Sequence, residues 1–247
     1  MITLARASLI LDAIAEARRP LSISDLAAQL GLPRSSVHRV LQELEAELYV
    51  VRAAGERGYL LGPGLLKFGM NSHLRLLAAN RASLAALARE VNENVDLAVF
   101  SGREVVVVDQ IGSPARLKSV TKIGKSFSLH ASCIGKALLA LLPDDQVEAL
   151  VPPRLHAFTP ATITDRAELL AGLPRIARTG IAVDLGEHDA GISAAATGFI
   201  GPTGARQAVA VVVPSHVLTA KWELIITSLA RLNPRVAVEE LLTHPGI

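Results

Sequence analysis

The stretch "SISDLAAQLGLPRSSVHRVLQELEAE", residues 22–47, constrains the fold more than any other part of the chain. Ser22 and Asp25 stand at capping-box spacing and open a short helix, which Gly31, Leu32 and Pro33 then break before another begins. In that next helix Val37, Val40, Leu41 and Leu44 fall at i, i+3, i+4 and i+7 and must face a core. Arg34, Ser35, Ser36, His38, Arg39 and Gln42 are thereby turned outward. Upstream, Leu4, Ala7, Leu11, Ile14 and Ala15 predict an amphipathic helix over 4–18, stopped by Arg18, Arg19 and Pro20. Downstream, "YVVRAAGERGYLLG" (49–62) has strand-prone ends around a charged, Gly-bearing tip and predicts a hairpin. Three helices and a hairpin predict a winged helix-turn-helix over 1–62, followed by a linker helix over 63–80.

The outward face gives this unit its chemistry. A helix fits the major groove of B-DNA, where each base pair shows its own pattern of donors and acceptors. Backbone N–H groups in the first turn favour phosphate, serine hydroxyls bond phosphate or base edges, and arginine can clamp guanine with two bonds. Arg52 and Arg57, on the predicted hairpin, are placed to hold the neighbouring backbone or minor groove. On a lone helix the same residue types would only solvate a surface. The capped helix, Gly-Leu-Pro break, polar helix and hairpin together point to a double-stranded DNA operator. Charge adds little, because the net +2 is small and residues 1–60 balance arginines against acids.

The remaining residues, 81–247, predict a second domain. "VDLAVFSGREVVVVDQIG" (95–112) reads as two strands around Ser101, Gly102 and Arg103, and "RQAVAVVVPS" (206–215) as a buried strand. Helical patterns lie near 131–141, 144–150, 165–178 and 216–232. Strands paired locally, then helices, then further strands predict an α+β fold with an antiparallel sheet. Half the residues are apolar and 19% are charged, enough for real cores and too little charge for disorder. No apolar run is long enough to cross a bilayer and the amino-terminal pattern is helical rather than signal-like, so the expected location is cytoplasmic, without membrane contact. The single cysteine, Cys133, cannot form an internal disulfide, and the seven histidines show no ligand spacing, so no metal or cofactor is expected.

"SLHASCIGKALLALL" (128–142) is a polar turn running into an apolar helix, where exposed N–H groups can receive a carboxylate. His130, Ser132 and the backbone of Cys133 and Ile134 lie at that turn. The structural alternative is that Ser132 caps its own helix and His130 makes an internal hydrogen bond. An enzymatic alternative takes Cys133 or Ser132 as nucleophile, His130 or His188 as base, and Asp184 or Glu187 as orienting acid. No nucleophile elbow, phosphate loop or dinucleotide fingerprint surrounds them, so the chain is not expected to be an enzyme. A third possibility is a second domain that only oligomerises.

The segments "DLAAQLGLPRSSVHRVLQELEAELYVVR" and "GYLLGPGLLKFG" resemble the DNA-binding module of IclR-type bacterial transcriptional regulators. "SLHASCIGKALLALL" and "RTGIAVDLGEHDAGISAAA" (178–196) are similar to the two effector-domain signatures of that family. The resemblance implies a linker helix joining the DNA-binding unit to a GAF-like domain that senses a small molecule, assembled as a homodimer or homotetramer. It places effector contacts on the N–H groups of Cys133 and Ile134 and on Asp184, with Glu187 as a structural residue or a wall of the pocket. Where the family commonly has cysteine this chain has Ala194, which leaves more room and less polarity and implies an effector larger or more apolar than a two-carbon acid. Leu48 stands where the family usually has glycine. Leucine in a left-handed turn costs about 1 kcal/mol or more, so the reading helix is expected to end differently here.

Overall fold

The computed structural model describes residues 3–55, 57–112, 121–202 and 204–244, and within a helix it leaves the side chains of Thr3 and residues 69–73 undescribed. The chain divides into two compact units, Met1–Leu76 and Leu77–Ile247. The expected boundaries at 62/63 and 80/81 fall on either side of that division.

The first unit contains α1 (Thr3–Glu16), α2 (Ile23–Leu30), α3 (Arg34–Ala46) and the hairpin strands β1 (Val50–Arg52) and β2 (Tyr59–Leu61). Its hairpin is antiparallel, with Val51 opposite Leu60, and Leu21 bridges to Tyr59 on its outer edge. One residue of the expected hairpin tip, Glu56, lies outside the described residues. The Ser22–Asp25 capping box forms in both directions, and Gly31 ends α2 in the left-handed region at φ 62°. Val37, Val40, Leu41 and Leu44 are buried as their spacing requires. The expected stripe of α1 holds in its middle, where Ile14 is buried and Ala7 and Leu11 pack against the core, and fails at Leu4 and Ala15. Leu4 is 79% exposed and Ala15 is also exposed, whereas Ile10, Ala13 and Ile14 are buried against α3 residues and Tyr59. The stripe and the buried set overlap, and only the position of the partner elements decides where the edges of that face fall.

The end of α3 also departs from expectation. Leu48 does occupy the left-handed region, at φ 59°. Its strain is offset by closing bonds, since Tyr49 N donates to the Leu44 carbonyl at 2.8 Å and Gly64 N donates to the Leu48 carbonyl at 2.8 Å. The leucine side chain is 55% exposed and contributes little burial in return. Leu48→Gly is therefore expected to stabilise this unit by about 1 kcal/mol, checked as a raised urea midpoint at unchanged slope. A lowered midpoint would mean that the leucine's contacts outweigh its strain.

A 3₁₀ turn (Pro63–Leu65) precedes α4 (Leu66–Val91), which runs well past the predicted linker limit. The second unit then forms β3 (Asn94–Phe100), β4 (Val105–Ile111), β5 (Ser126–Phe127), α5 (Cys133–Leu139), α6 (Asp144–Leu150), α7 (Arg166–Thr179), β6 (Ala182–Leu185), β7 (Ile192–Ile200), β8 (Arg206–Pro214), α8 (Ser215–Leu232) and α9 (Val238–Thr243). The six strands make an antiparallel sheet in the order β5-β4-β3-β8-β7-β6. Alternation along β8 shows why the sheet is covered twice: Ala208, Ala210 and Val212 join the core under α5 and α7, while Val209, Val211 and Val213 join that of α4 and α8. A Cβ on Gly198 of β7 would meet the Ala137 carbonyl of α5 at 2.7 Å, so glycine is what allows this close approach.

Candidate functional site

In the first unit, Val37, Val40, Leu41 and Leu44 fix the rotation of α3, and the opposite face is presented to solvent. Arg34, Ser35, His38, Arg39 and Gln42 are exposed and Ser36 is half-buried. Pro33 precedes the helix without any side-chain cap, so the leading N–H groups stay open to an acceptor. Arg34 hydrogen-bonds the Ser24 hydroxyl, which anchors the helix entry to α2. On the hairpin, Arg57 is exposed. Arg52 is also exposed but is held in place, its Nε donating to Glu45 at 3.1 Å and its guanidinium lying 5.3 Å from the Tyr59 ring centre. Hydroxyl, amide, imidazole and guanidinium groups thus share one rigidly mounted face, suited to phosphates and base edges.

In the second unit, sheet register gathers residues that the sequence keeps far apart. A cavity of about 40 Å³ is lined by Ser132, Cys133 and Ile134 at the start of α5, Asp184 from β6, and Ala194 from β7, and by Asp96, Thr121, Phe127, His188, Asp189, Ile192, Ala210 and Val212. Five of the seven residues expected at the ligand are therefore brought together. The other two stand apart from the lining. His130 has its Nδ1 2.6 Å from Ser128 Oγ and its Nε2 2.9 Å from the His156 carbonyl, so both ring nitrogens are engaged within the protein. Glu187 forms a buried ion pair with Lys136, and its backbone N–H donates to Asp184 Oδ1 at 2.7 Å. Ser132 does cap α5, accepting from Gly135 N at 3.1 Å while donating to the Ser128 carbonyl at 2.8 Å.

Electrostatics separate binding from catalysis here. Burial pushes the Cys133 thiol well above its ordinary range, with nearby Asp184 adding to the effect. A thiol held protonated in this way is no nucleophile at neutral pH. Desolvation, aided by the neighbouring Glu187 charge, raises Asp184 to about 6. Its folded pKa thus exceeds its unfolded value, so its contribution to stability is full at acid pH and is lost as pH rises toward 6. Asp96 is raised as well, mainly by desolvation.

The sequence reading missed Asp96, Thr121, Phe127, His188 as a lining residue, Asp189, Ile192, Ala210 and Val212. The alternation on β8 was available as a signal for Ala210 and Val212, but which parity faces a cavity is set by packing. Among the described residues no group of His, Cys, Asp or Glu could hold a metal ion, and no helix is long and apolar enough to cross a membrane.

An outward helix face bearing arginine, hydroxyl and amide groups beside a wing, carried on the same chain as a sheet domain that encloses a small lined cavity, defines a DNA-binding regulator with a ligand-sensing domain. Comparison with known proteins agrees. Residues 3–54 match the IclR helix-turn-helix domain and residues 69–231 match the bacterial transcriptional regulator IclR C-terminal domain. The chain belongs to the IclR family of bacterial transcriptional regulators. It is 38% identical to the HTH-type transcriptional regulator Rv1719 of Mycobacterium tuberculosis, over 86% of this chain and 82% of that one. With the HTH-type transcriptional regulator TtgV of Pseudomonas putida it shares 32% identity over 95% and 91%. It is also 33% identical to the transcriptional repressor IclR of Escherichia coli, over 77% and 71%. An IclR homolog from Microbacterium hydrocarbonoxydans, solved in complex with 4-hydroxybenzoate, has the same fold at a TM-score of 0.78 and 22% identity, covering 95% of this chain and 99% of its own. These relatives are regulators, and this chain is a regulator rather than an enzyme.

Proposed function

We propose that the protein binds an approximately palindromic operator as a homodimer or homotetramer, and that a small organic acid with an apolar, aromatic body governs that binding. Arg34, Ser35, Ser36, His38, Arg39 and Gln42 read the major groove, while Arg52 and Arg57 on the wing hold the neighbouring backbone. The effector lies against Ser132, Cys133, Ile134, Asp184 and Ala194. His130 and Glu187 act by positioning, one through Ser128 and the other through Asp184. The observation that carries this reading is the convergence of residues from α5, β6 and β7 on one cavity. The 4-hydroxybenzoate held by a protein of the same fold favours an aromatic acid.

The cavity volume of about 40 Å³ is smaller than an aromatic ring requires, so binding has to displace the surrounding side chains. That displacement supplies the differential affinity between conformations on which any coupling to DNA depends. The helix α4 carries the chain from one unit to the other and is the lever. A thermal-shift screen of small carboxylic and aromatic acids, followed by calorimetry and DNA mobility assays, tests the reading. Aromatic acids are expected to raise the melting temperature with concentration and to alter operator binding. Calorimetry in which only small hydrophilic acids bind would overturn the assignment.

A further inference from the structure

A second hollow in the sheet domain, about 410 Å³ in volume, opens between α5, α6 and α7 and shares no lining residue with the cavity at the start of α5. Its floor is apolar. Leu139 of α5, Leu142 just beyond it, Val147 of α6 and Leu173 of α7 are all buried, and Leu170 is packed against them. On α7 the residues that face the hollow, Leu170, Leu173, Pro174 and Ala177, follow the i, i+3, i+4, i+7 spacing of one helical side. A volume of this size lies within the range of small-molecule sites, about 300–1,000 Å³.

The rim of the groove offers acceptors. Asp144 and Glu148 stand one helical turn apart on α6, both exposed, and neither carboxylate takes part in an ion pair among the described residues. Asp144 suits the positive end of its helix, but Glu148 lies in the last turn, where the dipole opposes a negative charge, so helix stability does not account for it. Pro174 adds a third acceptor. It stands inside α7 without an N–H to give, which deprives the Leu170 carbonyl one turn back of its helical donor on the side that lines the groove. Among the described residues the lining contains no lysine, arginine or histidine. The arginines of α7 are engaged elsewhere, Arg166 with the Val151 and Glu148 carbonyls, Arg175 with the His244 carbonyl and Arg178 with Glu240.

We propose that this groove is a second ligand site, which takes a small organic cation with an apolar body. The hydrocarbon covers the leucine floor, and the ammonium lies between Asp144 and Glu148. An ammonium carries three donors and no acceptor, the complement of a rim that offers carboxylate and carbonyl oxygens. An anion is repelled by the same two charges.

Calorimetry on the full-length protein with 4-phenylbutylamine and its neutral counterpart 4-phenylbutanol tests it. At low salt the amine should bind about fivefold or more tighter than the alcohol, and added salt should close much of that gap. Asp144→Asn combined with Glu148→Gln should bring the amine down to the affinity of the alcohol. Ala177→Trp, which fills the groove from an exposed helix position and leaves both carboxylates in place, should abolish the amine's advantage as well. A wild-type protein that binds the amine no better than the alcohol overturns the proposal. An advantage that survives either variant does the same: if the double variant keeps it, the acid-lined cavity at the start of α5 holds the amine, and if only Ala177→Trp keeps it, the amine sits on the exposed acids outside the groove. Should the amine fail to bind while Ala177→Trp lowers the oligomeric mass in light scattering, a second copy of the chain covers the groove and the proposal falls.

Discussion

Arg39→Ala is expected to weaken specific operator binding by about 1–3 kcal/mol, roughly fivefold to 150-fold, and to leave effector affinity almost unchanged. Arg39 is exposed on the outward face of α3, one helical turn from Ser35 and next to His38. Its guanidinium has the fork geometry for a guanine edge, and its removal leaves the buried set Val37, Val40, Leu41 and Leu44 untouched. Mobility shifts across a series of operator variants resolve what it contacts. Loss of discrimination at one base pair marks base readout, whereas a uniform loss with a salt slope smaller by about one marks a phosphate contact. Equal losses of DNA and effector affinity would count against the division of labour between the two units.

Lys136→Met should produce the largest loss of stability, about 3–5 kcal/mol in the second unit. Lys136 and Glu187 are 7% and 8% exposed, and Glu187 Oε2 already has no hydrogen-bond partner among the described residues. Taking away the ammonium strands a carboxylate in a core it cannot leave. The loss comes from that unpaired charge and not from the pair's intrinsic strength, so the double variant Lys136→Met with Glu187→Leu should recover most of it. Thermal or denaturant unfolding of the wild type, both single variants and the double variant closes the cycle. A loss below about 1 kcal/mol in Lys136→Met would mean that water reaches Glu187 as it reaches a surface group. Because the Glu187 amide also holds Asp184, the single variant should weaken effector binding as well as the fold.

The two predictions draw on unlike kinds of information. Arg39 was legible in the sequence, because four apolar residues at helical spacing fix which way α3 faces and leave only one side for the rest. The Ser22–Asp25 capping box, the Gly31 break and the hairpin were legible for a similar reason, each being settled by residues within a few positions of one another. The edges of the buried face of α1 were not: Ile14 was expected inside with Ala7 and Leu11, yet Ile10 and Ala13 join it in the core while Leu4 and Ala15 stay exposed, a choice made by α3 and Tyr59. Leu48 shows the same limit in the opposite sense. Local sterics disfavour its left-handed turn, and hydrogen bonds from Tyr49 and Gly64 hold it there.

The polar turn running into an apolar helix pointed to Ser132, Cys133 and Ile134, and resemblance to a family singled out Asp184 and Ala194, while Asp96 and the Lys136–Glu187 pair appeared only with the sheet assembled. What the sequence determined by itself is the set of elements and their apolar faces, along with the outward chemistry of α3, because period and capping act over a single helical turn. Tertiary structure alone decided which buried polar groups meet. Strand register brings Asp96 and Asp184 to one cavity across 88 positions of sequence, and desolvation there, a property of the enclosure rather than of any residue, raises both carboxyls.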